Sequence, residues 1–142
     1  MKESFDQESR DSLIAYRIER AYGSLEEAKL MTQGGFYNAS INRLYYACYY
    51  MAVALLLKNN ISAQTHSGVK TMLGMYFTSK GKLSISASKI FTTLFERHSS
   101  DYDDFVYCDQ EMFDELSPKA EAFIEEIKKL IESSCNTTEK DI

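Results

Sequence analysis

The chain contains few residues that interrupt helices, with one proline and six glycines among 142 residues. Because proline and glycine are the residues least favourable in helix interiors, their scarcity allows long helices. No stretch shows the strict alternation of apolar and polar residues that a half-buried strand requires. The hydrophobic content of 44% is sufficient for one compact core. We therefore expect an all-α protein, a single domain of about five helices with its core at about 10–132 and a polar tail at 133–142.

Cysteine and histidine are also scarce. The three cysteines are odd in number, far apart and without a CxxC pair, which argues against a disulfide framework and against a zinc site. Neither His66 nor His98 has a second histidine or a cysteine at metal-ligand spacing. The glycine motifs of the common phosphate loops and of the nucleophile elbow are absent. We predict no metal and no cofactor.

The sequence lacks a hydrophobic run long enough to target it to a membrane. The first ten residues contain no apolar core of the kind found in signal peptides. The longest uncharged stretch, 44–57, is shorter than the 18 or more apolar residues that a membrane span needs. These absences predict a cytoplasmic protein, and a reducing compartment is consistent with the unpaired cysteines.

The most informative segment that is present runs from Tyr37 to Lys58. From Leu44 to Leu57 it contains four tyrosines and no charged residue, so its apolar character covers the whole circumference of a helix. Such a helix is buried on most sides, and we expect it to be the central helix of the core. Tyrosines on several of its faces are also typical of bundles that pair with a second copy.

Four further helices follow from hydrophobic periodicity and from start and stop signals. The predicted ranges are 5–32, with a kink at Gly23-Ser24; 66–79, with Thr65 as N-cap; 84–98; and 118–132, with Ser117 as N-cap and Pro118 at the first helical position. The tail, 133–142, is expected to fray.

Charge is distributed unevenly along the chain. The net charge of −5 argues against loose binding to nucleic acid through the whole surface. Residues 66–100 nevertheless contain five lysines and arginines against one acid, whereas 101–115 contain seven acids and no base. One interpretation is a solvated loop beside an ordinary basic helix face. The other is a basic patch for a phosphate-bearing ligand, flanked by acids that bind a partner protein or a divalent ion.

Arg97 is the main candidate for a ligand-binding residue. It follows Leu94 by three residues, so it lies at the edge of a face that apolar residues bury, with Asp101 at i+4 as the local ion-pair partner. Asn38 and Asn42, one helical turn apart, add amide groups. Together these residues suit either a phosphate or ribose site in a helical cleft or a satisfied structural network, and their spacing does not decide between the two.

His66 has two interpretations as well. It lies in the motif THSG at a predicted helix start, where backbone N–H groups favour an anion. Alternatively, Thr65 and Ser67 cap the helix while His66 lies exposed.

Several motifs, in order along the chain, resemble those of one known family. The string GGFYNASINRLYYACYYMAVALL is similar to the second-helix region of HEPN domains, in particular of the small stand-alone proteins of the UPF0332 type. The similarity covers about residues 10–132. It continues through THSGV, Tyr76-Phe77, the run KGKL, the segment LFERHSSDYDDF and the C-terminal helix that contains Ala122-Phe123.

This resemblance implies an up-and-down helical bundle that forms a homodimer with a cleft between facing helices. Many members of the family are RNases of toxin–antitoxin or phage-defence systems, and many act with a small nucleotidyltransferase of the MNT type as antitoxin. Their active members carry an arginine followed after four to six residues by a histidine. The implied chemistry is metal-independent: the histidine acts as general base for the 2′-hydroxyl and the arginine stabilises the charge on the phosphorane.

The chain departs from that catalytic pattern. Arg97 matches the arginine, but Tyr102, Asp103 and Asp104 occupy the positions of the histidine, and His98 directly follows Arg97. The resemblance therefore favours a non-catalytic or weakly active module that binds nucleotide or RNA phosphate and acts with a nucleotidyltransferase partner. The alternative is a metal-independent RNase toxin with its active site in a dimer cleft. The candidate binding residues are Arg97, Asn42, Tyr46, Asn38 and Asp101, and those of the alternative enzyme are Arg97, His98 and Tyr102.

Overall fold

The structure is a computed structural model that describes the backbone of residues 6–99 and 108–141 and the side chains of residues 6–98 and 108–133. These residues form helices and no strand, so the predicted all-α bundle of about five helices is confirmed. The helices are α1 (Gln7–Gln33), α2 (Tyr37–Lys58), α3 (His66–Leu73), which a short π-helical segment (Gly74–Thr78) continues, α4 (Ile85–Ser99) and α5 (Gln110–Asp141).

Helix α2 is the centre of the bundle, as its apolar circumference predicts. It spans the predicted residues and contacts each of the four other helices. Leu44, Tyr45, Met51 and Leu55 have no exposed surface. Burial of side chains of this size contributes about 1.5–3 kcal/mol each, so α2 dominates the apolar core.

Helices α1 and α2 form an antiparallel hairpin. The contacts pair early residues of α1 with late residues of α2: Arg10 Nη1 lies 3.4 Å from the carbonyl of Leu57, and Ser40 Oγ donates to the carbonyl of Ala28 at 2.8 Å. The buried positions where the helices meet include small residues that allow close approach, namely Ala21, Ser24, Ala28, Ser40 and Ala47.

The turn between α1 and α2 depends on a glycine. Gly35 has φ +86°, a left-handed conformation that a side chain disfavours. Its N–H donates to the carbonyl of Thr32, and the N–H of Phe36 donates to that of Met31 at 2.8 Å. This is the paired hydrogen-bond pattern of a helix C-terminus closed by glycine, as the Gln33-Gly34-Gly35 run predicts.

Helix α1 is continuous from Gln7 to Gln33, so Gly23-Ser24 does not divide it into two helices. Ser24 is completely buried, and α1 packs on α2 along its length. Tertiary packing therefore overrides the weak local helix propensity of this pair. The N-terminus of α1 is capped by Asp6, whose Oδ1 accepts from the N–H of Ser9 at 2.7 Å.

The predicted start of the last helix is wrong. Helix α5 begins at Gln110 rather than at Pro118, because Asp109 caps it by accepting from the N–H of Met112 at 2.9 Å. Ser117 is buried and Pro118 lies inside the helix, where it removes one backbone hydrogen bond. The backbone of α5 also continues as helix to Asp141 instead of fraying from 133.

The predicted start of the third helix is confirmed. Thr65 Oγ1 accepts from the N–H of Gly68 at 2.9 Å and caps α3. The range predicted as one helix to residue 79 consists of α3 and the π-helical segment, which the sequence analysis did not predict. The segment ends at Thr78, and Gly81, with φ +74°, lies in the turn that follows.

None of the helices in residues 6–99 and 108–141 combines the length and the apolar character that spanning a membrane requires.

Two glycine substitutions should have opposite effects on stability. Gly35→Ala forces a side chain into the left-handed region, which costs about 1–2 kcal/mol. Gly74→Ala places a methyl group in open space on helical backbone, with φ −63°, and should stabilise by about 0.5–1 kcal/mol. Urea unfolding of the two variants and the native chain measures both changes. Equal loss of stability in both variants would contradict the assigned backbone conformations.

Candidate functional site

A cleft of about 270 Å³ lies between the first half of α2 and the end of α4. Both polar and apolar side chains line it. The lining residues are Asn38, Ile41, Asn42 and Tyr45 from α2, Leu94, Arg97 and His98 from α4, and Cys108 from the segment before α5.

Helical spacing explains why these residues meet. The α2 residues Asn38, Ile41, Asn42 and Tyr45 are separated by three, one and three positions, which places them on one face of the helix. On α4 the corresponding face carries Leu94 with the neighbours at i+3 and i+4. Ile41 on α2 and Leu94 on α4 are buried in the core, and the polar neighbours of each line the opening of the cleft.

The structure brings three of the predicted binding residues together, since Asn38, Asn42 and Arg97 line the same cleft. Tyr46 is not part of the lining but lies next to it, with its ring centre 5.1 Å from that of His98 and the two rings nearly perpendicular. Asp101 and Tyr102, the other predicted residues, lie outside the described residues.

The Arg97 guanidinium is half-buried at this cleft. Nη1 lies 3.8 Å from Cys108 Sγ, a weak contact for a cation. Among the residues whose side chains are described, no carboxylate lies within ion-pair distance of it. A guanidinium carries five N–H donors and no acceptor, so the cleft presents a positive charge whose natural ligand is an anion.

His98 lines the same cleft although it directly follows Arg97. The cleft is wide enough to receive both the i+3 and the i+4 neighbour of Leu94. Nδ1–H of His98 donates to Asn42 Oδ1 at 3.2 Å, which orients the imidazole. In the catalytic pattern of the resembled family, several residues separate the arginine from the histidine, whereas Arg97 and His98 are adjacent in sequence. Both side chains nevertheless line the same cleft.

His66 lies half-buried, so the expectation that it is exposed is wrong. The hydroxyl of Tyr45 lies 2.7 Å from Nδ1 of His66. Burial raises the pKa of Tyr45 and lowers that of His66, so the neutral forms prevail and the hydroxyl donates to the ring nitrogen. A buried tyrosine hydroxyl thus obtains the partner that it needs.

Both histidines belong to one stack of rings around Tyr45. The ring of His98 lies 4.5 Å from that of Tyr45 at 16°, and the rings of His66 and His98 are 5.0 Å apart. His66 also stacks on Tyr49 at 4.3 Å. The sequence analysis missed this stack because the two histidines are 32 positions apart. One signal in the sequence could have indicated it. The hydroxyl of a tyrosine on a buried apolar helix requires a hydrogen-bond partner, and that partner must come from another helix.

The thiols have different surroundings. Cys48 is fully buried and free, as expected for a small core residue, and burial raises its pKa. Cys108 is free and half-buried; burial raises the pKa of its thiol, while the charge of Arg97 lowers it. In the described part of the chain no group of three or more His, Cys, Asp or Glu residues is arranged to hold a metal ion.

The lowered pKa of His66 predicts a loss of stability in acid. As pH falls below about 6.5, the unfolded chain binds a proton at this residue before the folded chain does. Stability should therefore fall from about pH 6.5 down through the lowered folded pKa. His66→Gln retains an acceptor for Tyr45 but does not titrate, so its stability should change less between about pH 7.5 and pH 5.5.

Urea unfolding of both proteins at the two pH values measures this difference. An equal loss of stability in the native chain and in His66→Gln would show that His66 does not contribute to the acid sensitivity.

Comparison with known proteins identifies the family. The HEPN domain family matches residues 14–130. The chain is 35% identical over 124 residues to a "UPF0332 protein" of Thermotoga maritima, which covers 87% of this chain and 94% of that protein. It is 31% identical over 132 residues to the protein named "Putative toxin MJ0605" of Methanocaldococcus jannaschii, covering 92% and 97% of the two chains.

A solved structure has the same fold. The crystal structure of ST0689, described as an archaeal HEPN homologue, aligns with a TM-score of 0.55 and 17% sequence identity, over 87% of this chain and 96% of that one. At this identity the likeness concerns the fold alone. The match to most of the sequence together with the shared bundle shows that the chain belongs to the HEPN domain family.

Proposed function

We propose that this chain is a phosphate-binding HEPN module of a toxin–antitoxin-type pair, whose ligand is the phosphate of a nucleotide or of RNA. The observation that carries the proposal is the Arg97 guanidinium, which lines a cleft and has no carboxylate partner among the described side chains. Its expected local partner, Asp101, lies outside the described residues, and the five N–H donors of a guanidinium suit the oxygens of a phosphate.

The neighbouring groups suit an anion. The guanidinium of Arg97 can donate two parallel hydrogen bonds to phosphate oxygens. Because Oδ1 of Asn42 accepts from His98, the remaining polar group of that amide is the NH₂ donor. Asn38 lies one turn earlier on α2 and contributes a second amide to the lining.

The toxin–antitoxin context is supported by relatives. Two relatives from Methanocaldococcus jannaschii, 31% and 30% identical to this chain, have names that include the word toxin. On this proposal the module forms a homodimer and acts with a nucleotidyltransferase partner in the cytoplasm.

The acidic segment at 101–115 provides weaker support for a partner surface than its sequence indicates. Asp109 caps α5, Asp114 accepts from Gln110, and Glu115 lies 3.7 Å from Lys119. These three acids have local structural roles. Among the described acids of this segment, Glu111 is the one for which no such local contact is seen.

Replacing Arg97 should abolish most of the binding to AMP. Arg97→Gln removes hydrogen bonds between charged groups that contribute about 1.5–3 kcal/mol, so the dissociation constant should rise roughly tenfold to hundredfold. Isothermal titration calorimetry with AMP measures the change. Arg10→Gln is the matched control, because Arg10 lies at the opposite end of α2, next to the carbonyl of Leu57. Unchanged affinity in Arg97→Gln would contradict the proposal.

A metal-independent RNase is the second candidate, and the position of His98 favours it. His98 lines the cleft beside Arg97 and is oriented by Asn42. In this mechanism His98 removes the proton from the 2′-hydroxyl, the 2′-oxygen attacks the adjacent phosphorus, and Arg97 stabilises the charge that develops on the phosphorane. The bond from phosphorus to the 5′-oxygen then breaks, which leaves a 2′,3′-cyclic phosphate on one fragment, and the departing 5′-oxygen takes a proton from water to become a hydroxyl.

Cleavage of a labelled single-stranded RNA in the presence of EDTA tests this second candidate. If His98 is the general base, His98→Gln should reduce the rate about 10²- to 10⁴-fold. The same variant should still fold, as judged by circular dichroism. Native protein that binds the RNA and leaves it intact would exclude the RNase and support the binding module.

A further inference from the structure

A second group of cationic and aromatic side chains lies beside the cleft. It consists of Arg17 and Arg20 on α1 and of Arg43, Tyr46 and Tyr50 on α2, and we refer to these residues as the arginine–tyrosine strip. The guanidinium carbon of Arg43 lies 4.8 Å from the ring centre of Tyr46. Those of Arg17 and Arg20 lie 5.8 and 5.6 Å from the ring centre of Tyr50.

The strip carries excess positive charge. One carboxylate, that of Glu27, contacts both Arg20 and Arg43, with N–O distances of 3.7 and 3.3 Å. Arg17 has no ion pair among the residues with described side chains. Three guanidinium groups thus face a single carboxylate. The remaining N–H donors require acceptors, and phosphate oxygens match them in charge and geometry.

The strip is continuous with the cleft. Tyr46 is the link, since its ring lies 5.1 Å from that of His98 on one side and 5.9 Å from that of Tyr50 on the other. A chain of phosphates that leaves the cleft at His98 would therefore pass over Tyr46 and reach the guanidinium groups at Tyr50. A mononucleotide such as AMP has one phosphate group, so when Arg97 holds that group no second phosphate is left to contact the strip.

We infer that the arginine–tyrosine strip binds the nucleotides that flank the phosphate held in the cleft, and that the ligand is a single-stranded RNA of several nucleotides. This inference rests on the proposed function and selects between its two ligands. Exposed bases stack on aromatic rings and on guanidinium planes, and each stacked base contributes about 1–3 kcal/mol. Side chains held against tyrosine rings are already ordered, which reduces the entropy lost on binding.

The experiment compares an unstructured RNA octamer with AMP. Fluorescence anisotropy measures octamer affinity in the native protein, in Arg17→Gln/Arg20→Gln, in Arg97→Gln and in Lys119→Gln/Lys129→Gln. The lysine variant removes the same charge from exposed positions on α5 and serves as the matched control. Calorimetry with AMP is repeated on each variant, and each variant is checked by circular dichroism and light scattering.

The double arginine variant should bind the octamer at least roughly tenfold more weakly and bind AMP unchanged. The slope of log affinity against log salt concentration should become shallower by about 0.7 for each lost phosphate contact. A purely structural role of the arginines would not alter this slope. Arg97→Gln should weaken both ligands, and the lysine variant neither. If the double variant fails to fold, Arg20→Gln alone, whose side chain is 30% exposed, is tested for the same slope.

Three results would overturn the inference. The first is that the native protein binds the octamer no more tightly than it binds AMP. This result would overturn the inference but leave the proposed function intact. The second is a double variant that keeps its octamer affinity and salt slope. The third is a double variant that keeps its RNA affinity but changes in molar mass, which would assign the strip to contact with a second copy of the chain. If the native protein binds neither ligand, the proposed function itself fails.

Discussion

The close packing of α1 on α2 is the constraint on which the candidate site depends. Ala21, Ser24 and Ala28 present small side chains to α2, and the Ser40 hydroxyl bonds directly to the backbone of α1. Because this face of α2 is occupied by helix-to-helix contact, its large aromatic residues lie on the remaining faces. Tyr45 therefore points toward α3 and α4, with its ring against both histidines.

The buried hydroxyl of Tyr45 then connects three helices. A polar group without exposed surface destabilises the fold unless it has a partner, and here the partner is His66 at the first position of α3. The imidazole of His66 stacks in turn on His98 at the end of α4. The position of His98 in the cleft thus follows from core packing. The stack holds the rings on this side of the cleft in place, and side chains that are already ordered would lose less entropy if the cleft binds the proposed ligand.

Local patterns predicted the fold better than they predicted the site. The bounds of α2 were predicted correctly because Gly35 lies just before the helix and Asn60 just after it, both in left-handed conformations. Glycine and asparagine are the residues that favour this conformation next to a helix, so the sequence indicates both positions. Helical spacing places Asn38 and Asn42 on one face of α2, and the packing of α4 on α2 brings Arg97 to the same cleft. The start of α5 was missed because Asp109 competes as N-cap with the more conspicuous Ser117-Pro118. Arg43 and Tyr46 are neighbours at i,i+3 on α2, whereas the contacts of His66 and those of Arg17 and Arg20 with Tyr50 join residues from different helices. Such contacts leave no local pattern, so their assignment required the assembled bundle.

A net charge of −5 is compatible with binding of an anion because much of the acidic charge has local partners. Glu126 accepts from both the N–H and the hydroxyl of Ser84, Glu125 accepts from Tyr22, and Glu121 lies 3.6 Å from Lys29. Charges more than about 10 Å away are largely screened at physiological salt. On the proposed function, an approaching phosphate would respond mainly to the groups at the cleft and the strip, where arginines outnumber carboxylates among the described side chains. On the proposed function, the net negative charge would limit non-specific binding of nucleic acid, and the local excess of arginines would set where a strand binds.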